Sequence, residues 1–365
     1  MAVPDAETTG QRTAPDEATR AIATRVREAA ATGRALALRG GDTKRFYGRE
    51  CSGEPLDLSS LRGIVAFEPT ELVITAKGAT PLAEVEALLA STNQVLGFEP
   101  PRYGSGGTLG GAVASGLSGP ARPYWGAARD YVLGVEIIDG RGQYLRFGGQ
   151  VMKNVAGFDV SRLMAGALGS LGVLAQVSLR VLPAPRVVRS LAWQLAPAAA
   201  RERMLALPRA PWPISGMCYD GSVLRVRLAG SEEAVAHASR ELAPDSIDAE
   251  LGFWSGLRDL SLPFFTEDAR PLWRLSLPPA APDPLNVGAL LHDWGGAQRW
   301  LHADDGAALR AHCQAHGGHA CRFSGGVDDA PFAEPPSALR ALMQRLKDAL
   351  DPSDVLNPGR MYAWL

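Results

Sequence analysis

Two segments carry apolar residues at helical spacing. In residues 15–33, PDEATRAIATRVREAAATG, the apolar side chains of one face are followed by a stop signal: Ala21, Ile22, Val26, Ala29 and then Gly33. In residues 81–97, PLAEVEALLASTNQVLG, one face is again apolar: Leu82, Val85, Leu88 and Leu89. A period of three to four residues is typical of an amphipathic helix. Both segments are therefore predicted to be helices packed on a core.

Other segments have strand character. Residues 63–80, GIVAFEPTELVITAKGAT, contain two runs of β-forming residues, and residues 131–149, YVLGVEIIDGRGQYLRFGG, place an Asp-Gly turn between two apolar runs. The first pattern predicts paired strands and the second a hairpin. Residues 172–183, GVLAQVSLRVLP, alternate as a strand does. Strands and helices mixed in this order predict an α+β fold.

The chain is long enough for more than one domain. It has 365 residues, and the Pro-rich PAPRV of residues 183–187 separates a well-patterned half from a looser α+β half. We predict a disordered tail over residues 1–15, a first domain over 16–186, a smaller α+β cap over 187–338 and a C-terminal segment, 339–365, that returns to the first domain.

Composition excludes several classes of protein. The net charge is −2 and no Lys/Arg cluster stands out, which argues against nucleic-acid binding. Four scattered cysteines do not form a disulfide scaffold, and a reducing cytoplasm suits them. The polar N-terminus lacks a signal sequence, and the uncharged run of residues 163–179 is interrupted by glycines, so a membrane span is not expected.

Two glycine-rich segments are candidates for anion binding. LRGGDTKRFYG, residues 38–48, follows a strand and supplies backbone N–H groups, a Thr and a Lys; residues 39–44 are called here the first glycine loop. It matches neither a P-loop nor the GxGxxG pattern of nicotinamide sites, and a simple strand-to-loop turn remains an alternative.

The second segment is YGSGGTLGGAVASGLSG, residues 103–119, called here the glycine stretch. Its glycines at 106, 107, 110 and 111 are expected to permit positive φ and close backbone approach to a flat or elongated anion. A floppy linker is the alternative, but Leu109, Val113 and Leu117 at four-residue spacing predict anchors in a core.

A third segment completes a recognisable set. VMKNVAGFDVSRLMAGALGSLGVLAQVSLRV, residues 151–181, contains Lys153-Asn154 and a Gly169–Gly172 hinge, and DPSDVLNPGR, residues 351–360, lies near the end of the chain. In order and spacing these segments resemble the FAD-binding domain of the vanillyl-alcohol oxidase family, also called the PCMH type.

The resemblance implies a PCMH-type domain of two α+β subdomains plus a smaller α+β cap, with FAD as cofactor. It assigns FAD contacts to the two glycine-rich segments, to the hinge and to the C-terminal motif: Arg39, Gly40, Gly41, Asp42, Thr43, Lys44, Gly106, Gly107, Thr108, Leu109, Gly110, Gly111, Ser115, Gly116, Arg129, Asp130, Gly172, Val173 and Asn357. It assigns no catalytic residue and no metal ligand in this chain.

Two departures from the family pattern qualify what the resemblance implies. Asp42 replaces a third glycine, tolerates an unusual φ and is expected to point away from a pyrophosphate. The glycine-rich segments contain no His, which implies non-covalent FAD.

Within the family, residues 153–183 and DWGGAQRWL, residues 293–301, resemble the smaller flavin subunits of bacterial glycolate oxidases. That implies a larger FAD-binding subunit and an iron–sulfur subunit as partners, oxidation of glycolate to glyoxylate, and membrane contact only through partners. The chain lacks the G-E-H-G motif of catalytic members. A self-sufficient 2-hydroxy-acid dehydrogenase and a flavin-free scaffold remain alternatives.

Two further clusters invite functional roles. HCQAHGGHAC, residues 312–321, holds three His and two Cys, but its spacing fits no standard zinc or iron–sulfur pattern, and a structural role is favoured. Arg129 and Asp130 are predicted to form either a buried ion pair or a flavin-facing pair.

Overall fold

The computed structural model describes residues 14–149, 159–248, 252–326 and 330–365. Its helices are α1 Glu17–Thr32, α2 Leu82–Ala90, α3 Leu109–Ser115, α4 Arg122–Trp125, α5 Ala128–Tyr131, α6 Val160–Leu163, α7 Pro197–Ala206, α8 Glu232–Leu242, α9 Gly252–Arg258, α10 Pro263–Thr266, α11 Gly306–Ala315 and α12 Ser337–Leu350. Its strands are β1 Leu36–Arg39, β2 Glu54–Asp57, β3 Ile64–Glu68, β4 Val73–Lys77, β5 Gln94–Val95, β6 Val132–Ile138, β7 Tyr144–Gly148, β8 Val173–Arg180, β9 Leu182–Pro183, β10 Val187–Gln194, β11 Ile214–Tyr219, β12 Val223–Gly230, β13 Ser246–Asp248, β14 Leu272–Ser276, β15 Leu291–Asp293, β16 Gln298–His302 and β17 His319–Ser324. The predicted α+β class is confirmed.

Helix α1 forms where the apolar period predicted it. Asp16 caps its start by accepting a hydrogen bond from the Thr19 N–H at 2.9 Å, and Gly33 ends it in the left-handed region at φ 64°. The buried face differs in one position from the prediction, because Ala23 is buried and Ala21 is exposed. The helix therefore packs on the core as expected, through a face rotated slightly from the predicted one.

The N-terminal half is built on a five-stranded antiparallel sheet of order β3-β4-β8-β6-β7, beside the parallel pair β1-β2. Strand β8 is central and buried on both faces: Leu174 packs in one apolar core, while Val173 and Ala175 pack in another. Alternate side chains of β8 thus point into two different cores. In a half-exposed strand, one set of side chains would face the core and the other would face solvent. The predicted β6–β7 hairpin is also confirmed.

The C-terminal half is an eight-stranded sheet of order β13-β10-β12-β11-β15-β16-β14-β17, in which the recorded pairings are antiparallel. A further apolar cluster joins this sheet to the N-terminal half, with Tyr47 and Leu117 packed among residues that include Trp300 and Phe323. The domain limits at residues 15, 186 and 338 stay predictions.

The chain end returns to β1. Leu356 pairs with Leu36 in a parallel bridge, and the Leu36 N–H donates to the carbonyl of Val355 at 2.7 Å. Val355 and Leu356 are fully buried in the core beneath α1. The return places the C-terminal motif next to the first glycine loop.

Candidate functional site

A cleft opens between β1, α3, the loop before β8 and the C-terminal motif. It holds about 1080 Å³ of space that is open to solvent, and we call it the glycine cleft. Twelve of the nineteen predicted contact residues line it: Arg39, Gly40, Gly41, Asp42, Thr43, Lys44, Thr108, Gly110, Gly111, Ser115, Gly172 and Asn357. The fold thus brings together segments that are far apart in sequence.

The two glycine-rich segments touch backbone to backbone. A Cβ built on Gly41 would lie 1.4 Å from the carbonyl oxygen of Gly106, so only glycine fits at position 41. The expectation of positive φ at 106, 107, 110 and 111 is wrong, because positive φ occurs at Gly104 and Gly116 instead. Close backbone approach accounts for Gly106 and Gly110, whose Cβ atoms would lie 3.0 Å and 2.7 Å from carbonyl oxygens, whereas a Cβ on Gly107 would make only ordinary contacts.

Backbone donors are distributed unevenly between the segments. In the glycine stretch, the N–H groups of Leu109 and Gly110 donate to the carbonyls of Thr80 and Gly78, and the Gly111 N–H donates to the Thr108 hydroxyl that caps α3. Those three groups are therefore not free to hold a ligand. In residues 40–44, by contrast, no backbone N–H donates to any other described residue. The first glycine loop is thus the part of the cleft lining whose backbone N–H groups are left available to a ligand.

Lys44 adds a positive charge at that edge. It lines the cleft, and its Nζ lies 5.5 Å from the centroid of the Tyr103 ring. Burial lowers the pKa of Lys44 to about 8, because the ammonium is partly removed from water. Asp42 has the predicted unusual backbone, with φ 54°, and its carboxylate accepts from Arg39 Nη1 at 2.9 Å. Arg39 therefore offsets the negative charge that Asp42 brings to the loop.

The C-terminal motif holds the cleft in shape. The Asn357 side chain accepts from the Leu38 N–H and donates to the Leu168 carbonyl, both at 2.7 Å, and so ties β1 to the loop before β8. Arg360, a cleft residue that the sequence did not single out, donates to the carbonyls of Lys44 at 3.1 Å and Arg45 at 3.0 Å. Both side chains position the first glycine loop.

The remaining predicted contacts lie off the cleft. Leu109 and Val173 are fully buried in the cores, Gly107 is buried, Gly106 is exposed beside Gly41, and Gly116 ends α3 in the left-handed region. Arg129 and Asp130 are both exposed, so the buried-pair hypothesis is wrong, and the Asp130 carboxylate accepts from the Ala127 N–H at the start of α5. Lys153 and Asn154 lie outside the described residues.

Sequence reasoning also missed Gly78 and Ala79, which line the cleft after β4. A Cβ on Gly78 would lie 2.0 Å from the Leu174 carbonyl oxygen, so this glycine lets β4, β8 and α3 meet. In the sequence, Gly78 was recognisable only as a glycine between a predicted strand and a predicted helix. Glycines at such positions are common in ordinary turns, so the sequence did not mark this one as a site residue.

The histidine-rich segment has structural contacts. His312 and His316 each hydrogen-bond to a main-chain carbonyl, at 3.1 Å and 2.8 Å, and Cys313 is buried in the core under α11. In the described ranges, no three His, Cys, Asp or Glu side chains converge as metal ligands would. None of the helices described has the length and apolar character that a bilayer crossing needs.

Comparison with known proteins decides the family. A family model for an FAD binding domain matches residues 17–148. Glycolate oxidase subunit GlcE of Escherichia coli is 48% identical over 332 residues, which cover 90% of this chain and 93% of that protein. The chain belongs to the GlcE family. Together, the FAD binding domain and the similarity to a glycolate oxidase subunit identify FAD as the cofactor of this chain and the protein as a flavin oxidoreductase.

More distant relatives agree with this assignment. Glycolate oxidase subunit GlcD of Bacillus subtilis is 34% identical over 84 residues, 23% of this chain and 18% of that protein. The solved structure of p-cresol methylhydroxylase with substrate bound matches with a TM-score of 0.69 at 14% identity, over 94% of this chain and 87% of that one. A 4-ethylphenol oxidase from Gulosibacter chungangensis matches with a TM-score of 0.68 at 13% identity, over 95% and 88%. The expected PCMH-type fold is confirmed.

Proposed function

We propose that this chain is the FAD-binding subunit of a glycolate oxidase complex, which oxidises glycolate to glyoxylate and passes electrons through flavin to an iron–sulfur subunit. Its partners are a larger FAD-binding subunit, which carries the substrate chemistry, and the iron–sulfur subunit. The names of the GlcE and GlcD relatives support a multi-subunit enzyme. FAD, once bound, supplies the electron acceptor, while the chain supplies binding and orientation.

One observation carries the cofactor assignment to particular residues. Residues 40–44 line a cleft whose backbone contact at Gly41 admits no side chain, and their N–H groups donate to no other described residue, with Lys44 in the same lining. Oriented N–H groups next to a cation suit a pyrophosphate. We assign the pyrophosphate of FAD to the first glycine loop and the wall formed by Gly172 to the flavin ring.

We propose that FAD is held without a covalent bond. No histidine lines the glycine cleft among the described residues, and Cys51 is its one thiol. Acid precipitation of the purified protein should therefore release all of its flavin into the supernatant. Flavin that stays with the pellet, and is freed in a Cys51→Ser variant, would contradict this proposal.

The functional test compares the chain alone with the assembled complex. The FAD-loaded chain is mixed anaerobically with glycolate, with and without co-expressed partner subunits, and the flavin absorbance is followed. We expect bleaching only in the complex, together with glyoxylate and a reduced iron–sulfur signal. Rapid bleaching of the chain alone would favour a self-sufficient dehydrogenase, and a colourless chain that takes up no FAD would favour a scaffold.

We place the protein in the cytoplasm, at the membrane only through its partners. Cell fractionation tests this placement: the chain expressed alone should stay in the supernatant after ultracentrifugation, and it should move to the membrane fraction when the partners are present. Membrane recovery of the chain alone would refute the indirect route.

A further inference from the structure

Helix α12 carries an apolar stripe that the rest of the chain leaves uncovered. An α-helix turns about 100° per residue, which places four of its apolar side chains within about 100° of one another. We call these four side chains the α12 stripe: Leu339, Leu342, Met343 and Leu346. Leu339 is 47% exposed and Leu342 is 45% exposed. Most exposed large apolar side chains of the described ranges lie apart from one another, whereas these two are neighbours on one helix.

The helix is attached to the protein through a different face. Lys347 lies about 90° around the helix from the centre of the stripe. It is the buried residue of α12 and donates to the Ser170 carbonyl at 3.0 Å. At the helix end, Leu350 packs on the core of the five-stranded sheet. The apolar clusters of the described residues include no member of the α12 stripe, so the fold of this chain leaves the stripe unused.

The first half of α12 stands on the surface. All six side chains at positions 337–342 are exposed. Isolated helices shorter than about 12–15 residues are marginal in water, and helices in proteins are stabilised mainly by packing of their apolar face. Since that face of α12 does not pack on its own chain, we expect it to pack on another molecule.

Arginines border the stripe on both sides. On the helix surface Arg345 lies beyond the Leu342 edge, and Arg340 lies beyond the Met343 edge. Neither forms an ion pair with a carboxylate of the described residues, and the Arg340 guanidinium lies over the Trp364 ring at 4.6 Å. Arginine and tryptophan are enriched in protein interfaces. The surface that complements this patch is therefore apolar at its centre and carries carboxylates at its border.

We propose that the α12 stripe is the docking surface for a partner subunit of different sequence, which presents an apolar face bordered by carboxylates. The inference rests on the proposed function for the existence of such a partner. It adds the place on this chain where the partner binds.

A second copy of this chain fits the stripe less well. In a two-fold dimer the same patch meets itself, so two borders of positive charge would come together. The exposed carboxylate of the helix, Asp348, lies on the side of Arg345 that is away from the stripe and does not neutralise this border.

A membrane surface also fits less well. Helices that lie in a membrane surface turn a polar face with several basic residues toward the lipid headgroups. In α12 the side that carries Lys347 is attached to the protein, so it is not available to headgroups. The arrangement therefore favours a protein partner.

The size of the stripe sets the expected magnitude. The helix has 14 residues and is about 21 Å long, so a stripe about 10 Å wide offers roughly 200 Å². A standard interface buries about 800 Å² on each partner. The stripe is therefore one part of a larger interface, and changes within it should weaken association without abolishing it.

The test is titration of the FAD-loaded full-length chain, fluorescently labelled, with the purified larger FAD-binding and iron–sulfur subunits. Leu339→Gln and Leu342→Gln keep the helix propensity but make the stripe polar, and each should raise the dissociation constant about tenfold. The double variant should raise it about a hundredfold. The matched control Leu285→Gln, at a leucine that is 87% exposed, should leave the dissociation constant unchanged.

A charge reversal tests the border separately from the apolar centre. Arg345→Glu should raise the dissociation constant about tenfold at low salt, and the effect should shrink as salt is added. Arg209→Glu, at an exposed arginine of the C-terminal half, should leave it unchanged. Unaltered association of both Arg345→Glu and the double leucine variant, with normal flavin content, would overturn the docking surface and leave the proposed function intact.

Other results assign the stripe to a different occupant and overturn the proposal. A lower melting temperature of the isolated double variant would show that the chain covers the stripe itself. Light scattering that shows a dimer of the wild-type chain, lost in the double variant, would assign the stripe to a second copy. Sedimentation of the isolated chain with phosphatidylglycerol vesicles, lost in the same variant, would assign it to a membrane. A wild-type chain that associates with neither subunit would refute the proposed function as well.

Discussion

A buried lysine fastens the chain end to the N-terminal half. Lys347 on α12 is 5% exposed, and its Nζ donates to the carbonyls of Ser170 and Leu356, each at 3.0 Å, and to Asp351 Oδ2 at 2.7 Å. Asp351 is 1% exposed and also accepts from the Leu356 and Val355 N–H groups. Because Lys347 also pairs with the exposed Asp354 at 3.0 Å, buried and exposed ion pairs of one lysine can be compared directly.

Lys347→Met should be strongly destabilising. It keeps most of the side-chain volume but leaves the buried Asp351 carboxylate without its cation and two carbonyls without a donor. Removing one partner of a buried pair costs about 3–5 kcal/mol, whereas an exposed pair contributes about 0–1 kcal/mol. With a urea dependence of about 2–3 kcal/mol per molar, the midpoint of unfolding should fall by roughly 1–2 M. Asp354→Asn should change it by less than about 0.5 M.

The assay is urea unfolding followed by far-ultraviolet circular dichroism, with flavin fluorescence recorded in the same samples. Since the segment after Lys347 contains Asn357 and Arg360, which hold the first glycine loop, flavin release should shift at least as far as unfolding does. An unshifted midpoint for Lys347→Met, or an equal shift for Asp354→Asn, would refute the view that the buried pair carries the stability.

Three further results are expected. Gly41→Ala should lower the flavin content of the purified protein at least tenfold, because its Cβ would force the two glycine-rich segments apart. The control Gly107→Ala should keep its flavin, because its Cβ would meet a leucine methyl at an ordinary 3.4 Å. Equal flavin losses in the two variants would contradict the packing argument. Lys44 is protonated below its pKa of about 8 and neutral above it, while a pyrophosphate stays anionic. FAD affinity, measured by fluorescence titration, should therefore fall as pH rises through about 8. If the FAD affinity of Lys44→Met fell with pH just as steeply, this lysine would be excluded as the cause. Arg227→Met removes the 2.7 Å ion pair with Glu99 that joins the two halves of the protein. It should lower the free energy of unfolding, measured in urea, by about 3–5 kcal/mol. A change below about 1 kcal/mol would show that the ion pair contributes little to stability.

The sequence was sufficient where structure is set locally. Helix α1, the β6–β7 hairpin and the burial of Leu109 and Val113 follow from periodicity and turn residues within short windows. The unusual φ of Asp42 also follows from its side-chain chemistry in a glycine loop. These features depend on neighbours in the chain, so the pattern of one segment is enough to predict them.

The finer features of the cleft depend on distant segments and were not predictable in this way. Gly110 donates its N–H to Gly78 across thirty-two positions, so this glycine of the cleft lining also packs against the backbone after β4. The Asn357 side chain joins Leu38 to Leu168, and no local pattern of residues encodes that bridge. The Trp300 indole N–H has no hydrogen-bond partner among the described residues, which likewise depends on the distant segments that the fold packs around it.

The glycine stretch serves both cavities, which gives a physical reason for its composition. Thr108, Gly110 and Ser115 line the glycine cleft, whereas Tyr103 and Leu117 line a second, small cavity against the eight-stranded sheet. Helix α3 between them has seven residues and spans about 10 Å, so the two cavities are separated by little more than one short helix. A Cβ at position 110 would collide with backbone at 2.7 Å, and the helix would have to move as a unit. Such a displacement would change both cavities together, so small residues here preserve the spacing of both.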